Sequence, residues 1–206
     1  MKLLLENWRR YLTEAKVEKR IAYEDALIMA EEIIVGLGLQ YWDPDEDPSE
    51  EPGEVRFRPG VGIPVGSIRQ EKETIGDIDI LSTEPVSIEQ VEALPGVSNL
   101  SARGQKQIFF DFTSAQTGIT RPINIFVSPD PQFFGGMLMH TTGPGRYNVH
   151  LRMIAKRAGG KANQYGVFGK DGKQIGGETE SSYYKALKSK KNPEGKEWKH
   201  PSLRGK

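Results

Sequence analysis

Gly66-Ser67, followed nine residues on by Gly76-Asp77-Ile78-Asp79-Ile80-Leu81, constrains this chain more than any other stretch. Isoleucines alternate with carboxylates there, the period of a strand with one buried face. Ile78 and Ile80 then point into a core, while Asp77 and Asp79 converge on the other side. Two converging carboxylates repel, and a divalent cation relieves that repulsion. Mg²⁺ takes one or two carboxylates, waters and phosphate oxygens. A Gly-Ser turn offers backbone N–H groups and a hydroxyl to a phosphate with no side chain in the way. The combination points to phosphoryl or nucleotidyl transfer. Two solvent-facing aspartates after an ordinary turn are the plainer alternative.

The 206 residues suffice for one domain or two small lobes with a proper core. The absence of cysteine excludes disulfides and thiolate metal sites. His140, His150 and His200 are too widely spaced to suggest a zinc centre. No stretch has the length of a membrane span and none resembles a secretory signal, which predicts a soluble intracellular protein without a membrane partner. The formal net charge of zero hides an asymmetry. Residues 1–140 carry 13 Lys+Arg against 23 Asp+Glu, and residues 141–206 carry 15 against 5. An acidic body joined to a basic C-terminal third suggests that the latter meets a polyanion, a solvated Lys-rich face being the alternative.

Periodicity predicts amphipathic helices at 2–14 and 22–37, an acidic Pro-rich loop at 43–54, strands at 54–58 and 75–81, and a short helix at 87–93. Residues 107–112 and 122–127 read as paired strands joined by a loop containing Thr117-Gly118. Helices follow at 131–139, 148–158 and 181–187, with a hairpin around Lys170-Asp171-Gly172-Lys173. This order gives an α+β body with a mixed or antiparallel sheet, residues 21–140, followed by a small basic lobe, 141–206, after an N-terminal segment, 1–20.

From Val65 onward the residues resemble the X family of DNA polymerases, within the nucleotidyltransferase superfamily. Val65-Gly66-Ser67-Ile68-Arg69-Gln70 through Gly76-Asp77-Ile78-Asp79 is similar to the family's palm signature. Residues 129–133 resemble its strand-to-helix link. Thr142-Gly143-Pro144, Tyr147-Asn148 and Leu151-Arg152 resemble the junction into the thumb. Asn163-Gln164-Tyr165-Gly166-Val167-Phe168 resembles the thumb hairpin, and Glu197-Trp198-Lys199-His200-Pro201-Ser202-Leu203-Arg204 the C-terminal segment. The resemblance implies a nucleotidyltransferase palm plus thumb that fills short gaps in DNA. It implies two Mg²⁺ ions, with Mn²⁺ as a substitute, held by Asp77 and Asp79. A nucleoside triphosphate and a DNA primer–template or gapped duplex are the implied partners, and a monomer the implied state. Gly66, Ser67, Gly76 and Arg69 would then lie at the triphosphate, Gly143 near the sugar, Asn148 at the base or sugar edge, and Arg152 at the templating strand. The family places a cis peptide after Gly143, and Pro144 lowers its penalty from about 3 to below about 1 kcal/mol.

The sequence departs from the family at several positions. Asn124 stands where the family has a third catalytic aspartate. An amide keeps a neutral oxygen ligand but removes a charge and a base. The alternatives are an engineered knockout, an impaired polymerase-like DNA-binding protein, or compensation by a neighbouring carboxylate. A turn centred on Thr117-Gly118 would set Asp111 directly opposite Asn124 on the polar face, so Asp111 is the candidate for that compensation. Gln70 replaces a second triphosphate arginine. His140-Thr141 replaces an aromatic pair that helps exclude ribonucleotides, and Gly145 replaces a side chain that packs on the incoming base. A different nucleotidyltransferase with a non-DNA acceptor is a further alternative. The residues before Val65 are too few for the family's upstream lyase and helix-hairpin-helix regions, so the layout resembles its minimal viral members. Residues 1–15 resemble capsid-targeting peptides of large tailed phages, with Leu12-Thr13-Glu14 as a trimming site. That implies the cytoplasm of an infected bacterium, or a phage capsid, as the location.

Overall fold

The computed structural model of the protein describes residues 20–42, 55–102 and 106–187. The segment expected to be helical at 2–14, the acidic loop at 43–54 and the C-terminal motif from Glu197 to Arg204 lie outside the described residues. The elements run β1 (Ile21–Ala22), α1 (Tyr23–Gly36), β2 (Gln40–Tyr41), β3 (Val61–Pro64), α2 (Gly66–Arg69), β4 (Thr74–Ile75), β5 (Ile78–Ser82), α3 (Ile88–Glu92), β6 (Val97–Ala102), β7 (Gln107–Thr113) and β8 (Thr120–Val127). A 3₁₀ turn (Pro131–Phe133) leads into α4 (Phe134–Thr142), then α5 (Gly145–Arg157), β9 (Lys161–Asn163), β10 (Gly166–Phe168), β11 (Gln174–Gly176) and α6 (Glu180–Ala186). The class is α+β, as expected. No helix among the described residues is long and apolar enough to cross a membrane.

Six strands form one mixed sheet in the order β2-β3-β5-β8-β7-β6. The pairs β2–β3 and β5–β8 are parallel and the others antiparallel. The strand expected at 75–81 is split, because β4 leaves to pair with β1 and Gly76-Asp77 bends the chain into β5. The strand expected at 54–58 does not form. Residues 55–58 are irregular, and Val55 is buried by side-chain packing instead.

α1 covers one face of the sheet. Its acidic first turn (Glu24, Asp25) favours the helix dipole, and Ala26, Met29, Ala30, Ile33 and Ile34 recur at helical spacing to form the buried stripe. That stripe meets Ile78, Ile80, Ile123 and Ile125. Gly62 permits the contact, since a Cβ there would lie 2.8 Å from Ile34 side-chain carbons. The opposite face carries Ile63, Val65 and Leu81 against Phe134, Met137 and Leu138 of α4. Phe134 is fully buried, worth about 2–3 kcal/mol.

α4 also belongs to the C-terminal lobe, because Met139 joins Leu151, Ala155, Ala162, Val167, Tyr183, Tyr184 and Leu187 in a separate core. The lobe grips the start of α4 through backbone. Gly135 N–H donates to Glu178 O (3.2 Å) and Gly136 N–H to Gly177 O (2.8 Å). A Cβ on Gly135 would sit 2.1 Å from the Thr179 carbonyl carbon, so only glycine admits this approach. Gly135→Ala is therefore expected to cost about 2 kcal/mol or more in urea denaturation. A midpoint equal to that of the parent protein would show that the backbone approach is dispensable.

Candidate active site

Asp79 lies on β5 and Asn124 on β8, and the parallel ladder pairs these two residues in register. Both sit on the face away from α1, because Ile78, Ile80, Ile123 and Ile125 occupy the α1 side. Asn124 Nδ2 donates to Asp79 Oδ1 at 2.8 Å. The second carboxylate oxygen faces the β3–α2 turn, where a Cβ on Gly66 would lie 2.2 Å from Oδ2. Gly66 has φ +58°, in the left-handed region, and Val65 N–H donates to Asp79 O at 2.8 Å. The Gly-Ser turn and the carboxylate are thus in van der Waals contact. Burial first, and then the charge of Asp77, push the Asp79 carboxyl up to about 6, against the opposing effect of the Asn124 hydrogen bond. Asp77, exposed in the bend just before β5, is close enough to be felt electrostatically by Asp79.

Arg20 is a residue that the sequence reading passed over. It precedes β1, whose pairing with β4 brings it beside Gly76. Its Nε donates to Thr74 Oγ1 (2.9 Å) and a terminal nitrogen to Thr74 O. Its other terminal nitrogen would lie 3.2 Å from a Cβ on Gly76, so the guanidinium crosses the bend that carries Asp77. A lone arginine ahead of an amphipathic helix carries no sequence signal, and only strand pairing reveals the neighbour.

Asp111 requires a correction. It pairs with Pro122, and Phe109 is the residue opposite Asn124. The Ser114 hydroxyl accepts from Gln116 N–H and Thr117 N–H, which closes the loop between Ser114 and Ile119 rather than about Thr117-Gly118. The register moves by two residues, so Asp111 keeps the expected face but not the expected neighbour. Its Oδ2 accepts from Asn99 Nδ2 at 2.7 Å, on the side of β7 away from β8. Two strand spacings of about 4.8 Å separate it from β5, too far to share a cation with Asp79.

Arg69 also differs from expectation. Its guanidinium donates to both Glu180 oxygens (2.9 and 2.6 Å) and to Thr142 Oγ1 (2.8 Å). Both partners of the ion pair are nearly fully buried. Burial alone would lower the Arg69 pKa, but the charge and hydrogen bonds of Glu180 outweigh it and raise the value. Arg69 therefore ties α2 to the C-terminal lobe instead of facing a triphosphate. Gln70 Nε2 donates to Thr142 O in the same seam. The Gly143–Pro144 peptide is cis, as the resemblance implied. Asn148, buried on α5, donates to His140 O (2.8 Å) and leaves its Oδ1 without a partner. Arg152 is exposed, with Nη2 at 3.4 Å from His140 Nδ1. Burial, and then the Arg152 charge, lower the His140 pKa.

The donor set suits a hard cation. Two carboxylates and an amide oxygen are the ligand types that Mg²⁺ accepts alongside water and phosphate. No group of three His, Cys, Asp or Glu side chains that could hold a metal ion occurs among the described residues, and the third position here is an amide. Asp79 provides the check. Its raised pKa means that the folded protein holds a proton between about pH 4 and 6 that the unfolded chain has lost, so this group makes stability fall as pH rises through that window. In chelator, Asp79→Asn is expected to raise the free energy of unfolding above pH 6 by up to about 3 kcal/mol and to give no advantage near pH 4, as read by urea denaturation. The same difference between variant and parent at both pH values would contradict this.

Two comparisons with known proteins bear on the site. Residues 137–204, from within α4 onward, match the family model of the DNA polymerase beta thumb. Over 109 residues the chain is 29% identical to the DNA polymerase/3'-5' exonuclease PolX of Bacillus subtilis (strain 168). That match covers 50% of this chain and 18% of the relative, so the chain spans under a fifth of that protein's length. Both findings support similarity to X-family DNA polymerases on a mixed α+β fold.

Proposed function

We propose that this protein transfers a nucleotide from a nucleoside triphosphate to a DNA 3′-hydroxyl, as a short-gap-filling polymerase of X-family type. The observation that carries this reading is the contact of the Gly66 backbone with the Asp79 carboxylate, opposite Asn124. It brings the backbone of the Gly-Ser turn against the acidic pair. The triphosphate would lie along Gly66, Ser67 and Gly76, with Arg20 supplying the positive charge that Arg69 does not. Asp77, Asp79 and the Asn124 oxygen would hold Mg²⁺. Bound there, two such ions would neutralise the triphosphate and lower the pKa of the attacking hydroxyl.

The residues themselves orient and accept. Asn124 pins Asp79 Oδ1 and leaves Oδ2 toward the turn. An amide is no base, so among Asp77, Asp79 and Asn124 only the two carboxylates can take the hydroxyl proton. The basic C-terminal lobe, with Asn148 and Arg152 on α5, would hold the duplex. We also infer a phage setting with a trimmed segment at residues 1–14, on sequence resemblance alone.

Asn124 favours a second reading, a DNA-end-binding protein with weak chemistry or none, since its amide occupies an oxygen that a cation would share. Incorporation on a one-nucleotide gap separates the two. The parent chain is expected to extend the primer slowly, Asn124→Asp to accelerate it about 10²-fold, and Asp79→Ala to abolish it. DNA binding with no incorporation by either the parent or Asn124→Asp would favour the second reading. Failure to bind either DNA or nucleotide would sink both.

A further inference from the structure

α3, the start of β7 and the end of β8 enclose a cavity of about 570 Å³ that the proposed chemistry does not use. Its lining is mostly apolar, from Pro85, Val86, Ile88, Ile108, Val127 and Pro129. Ile108 and Val127 belong to the core on the α1 side of the sheet, whereas Asp79 and Asn124 face the other way. A cavity of this size, with apolar walls and few polar groups, has the make-up of a small-molecule site. Ser87, Glu89, Gln90 and Lys106 complete the lining, and the first three are engaged with one another. Ser87 N–H donates to Gln90 Oε1 (2.8 Å) and Gln90 N–H to Ser87 Oγ (3.2 Å), which caps α3. The Glu89 carboxylate accepts from its own N–H and from the Ser87 hydroxyl, and these bonds hold it below the usual carboxylate range. Lys106 is different. It is exposed, and no carboxylate pairs with it among the described residues. Its Nζ donates weakly to Tyr165 Oη (3.4 Å) and lies 4.7 Å from the centre of that ring, so neutral groups hold the ammonium at the cavity.

We propose that this cavity binds a small, rigid apolar molecule carrying one anionic group, with Lys106 as the anchor for that group. The aliphatic and prolyl walls take up the apolar body, and a body with few rotatable bonds loses least freedom between them. Charge complementarity selects an anion as the head group. The Glu89 charge is already met within the helix cap, whereas the Lys106 ammonium faces a hydroxyl and a ring. A bond between two ionised groups is stronger than a neutral one, so the head group sets the affinity. The cavity lies on the opposite face of the sheet from the acidic pair, so it stands whether or not the chain transfers nucleotides.

The test is binding of 8-anilinonaphthalene-1-sulfonate to the full chain, without nucleotide or DNA, beside its uncharged analogue N-phenyl-1-naphthylamine. The sulfonate should bind about tenfold more tightly than the amine, and its amide shifts in ¹H–¹⁵N spectra should cluster at Ile88, Gln90, Ile108 and Val127. Lys106→Ala should weaken the sulfonate about tenfold and leave the amine unchanged, and Lys106→Arg should retain the preference. Ile88→Ala, at an exposed position, should weaken both probes. The proposal is overturned if the parent chain binds the two probes equally or not at all, if Lys106→Ala leaves the sulfonate unaffected, or if the shifts lie elsewhere. It is also overturned if sedimentation shows a dimer that Ile88→Glu dissociates, since a second copy would then occupy the cavity.

Discussion

The candidate site depends on the approach of one turn to one carboxylate. Val65 gives its N–H to the carbonyl of Asp79, and Gly66 takes a left-handed φ so that α2 begins against the Asp79 side chain. A side chain at Gly66 would have to occupy the space of Oδ2. The neighbouring features follow from this. Asp79 is desolvated because the turn covers it, its carboxyl titrates high because it is desolvated, and a cation or the Asn124 amide is what can offset the cost.

Much of this was legible in the sequence, and the boundary of legibility is physical. Alternation placed Asp79 and Asn124 on the polar side of their strands, because burial of the intervening isoleucines leaves no other choice. Alternation does not fix register. A polar loop of several residues can close in more than one way, and the Ser114 hydroxyl decided the matter by two residues, moving Asp111 away from Asn124. β3 left a weak pattern, since Gly62 and Pro64 interrupt it and it is buried on both faces. The partner of Arg69 is 111 residues away, and no local rule reaches Glu180. Arg20 escaped notice for the same reason, since its value comes from the short β1–β4 pairing rather than from its neighbours in sequence.

The C-terminal lobe is joined to the sheet by geometry and by charge. α4 contributes to two cores at once, and glycines at its start let the backbone around Glu178 and Thr179 close upon it. The buried Arg69–Glu180 pair fastens the same lobe to α2, one turn from Gly66. Breaking one partner of such a pair typically costs about 3–5 kcal/mol, so the lobe and the Gly66 turn are energetically linked. The basic helix α5 follows α4 directly in this lobe.

The most direct measurement is equilibrium binding of a nucleoside triphosphate to the purified chain with and without Mn²⁺, followed by the Mn²⁺ paramagnetic signal. The account predicts that Mn²⁺ and triphosphate each tighten the binding of the other, and that Asp79→Ala removes the coupling. Triphosphate binding that is indifferent to the metal, or coupling that survives Asp79→Ala, would contradict it.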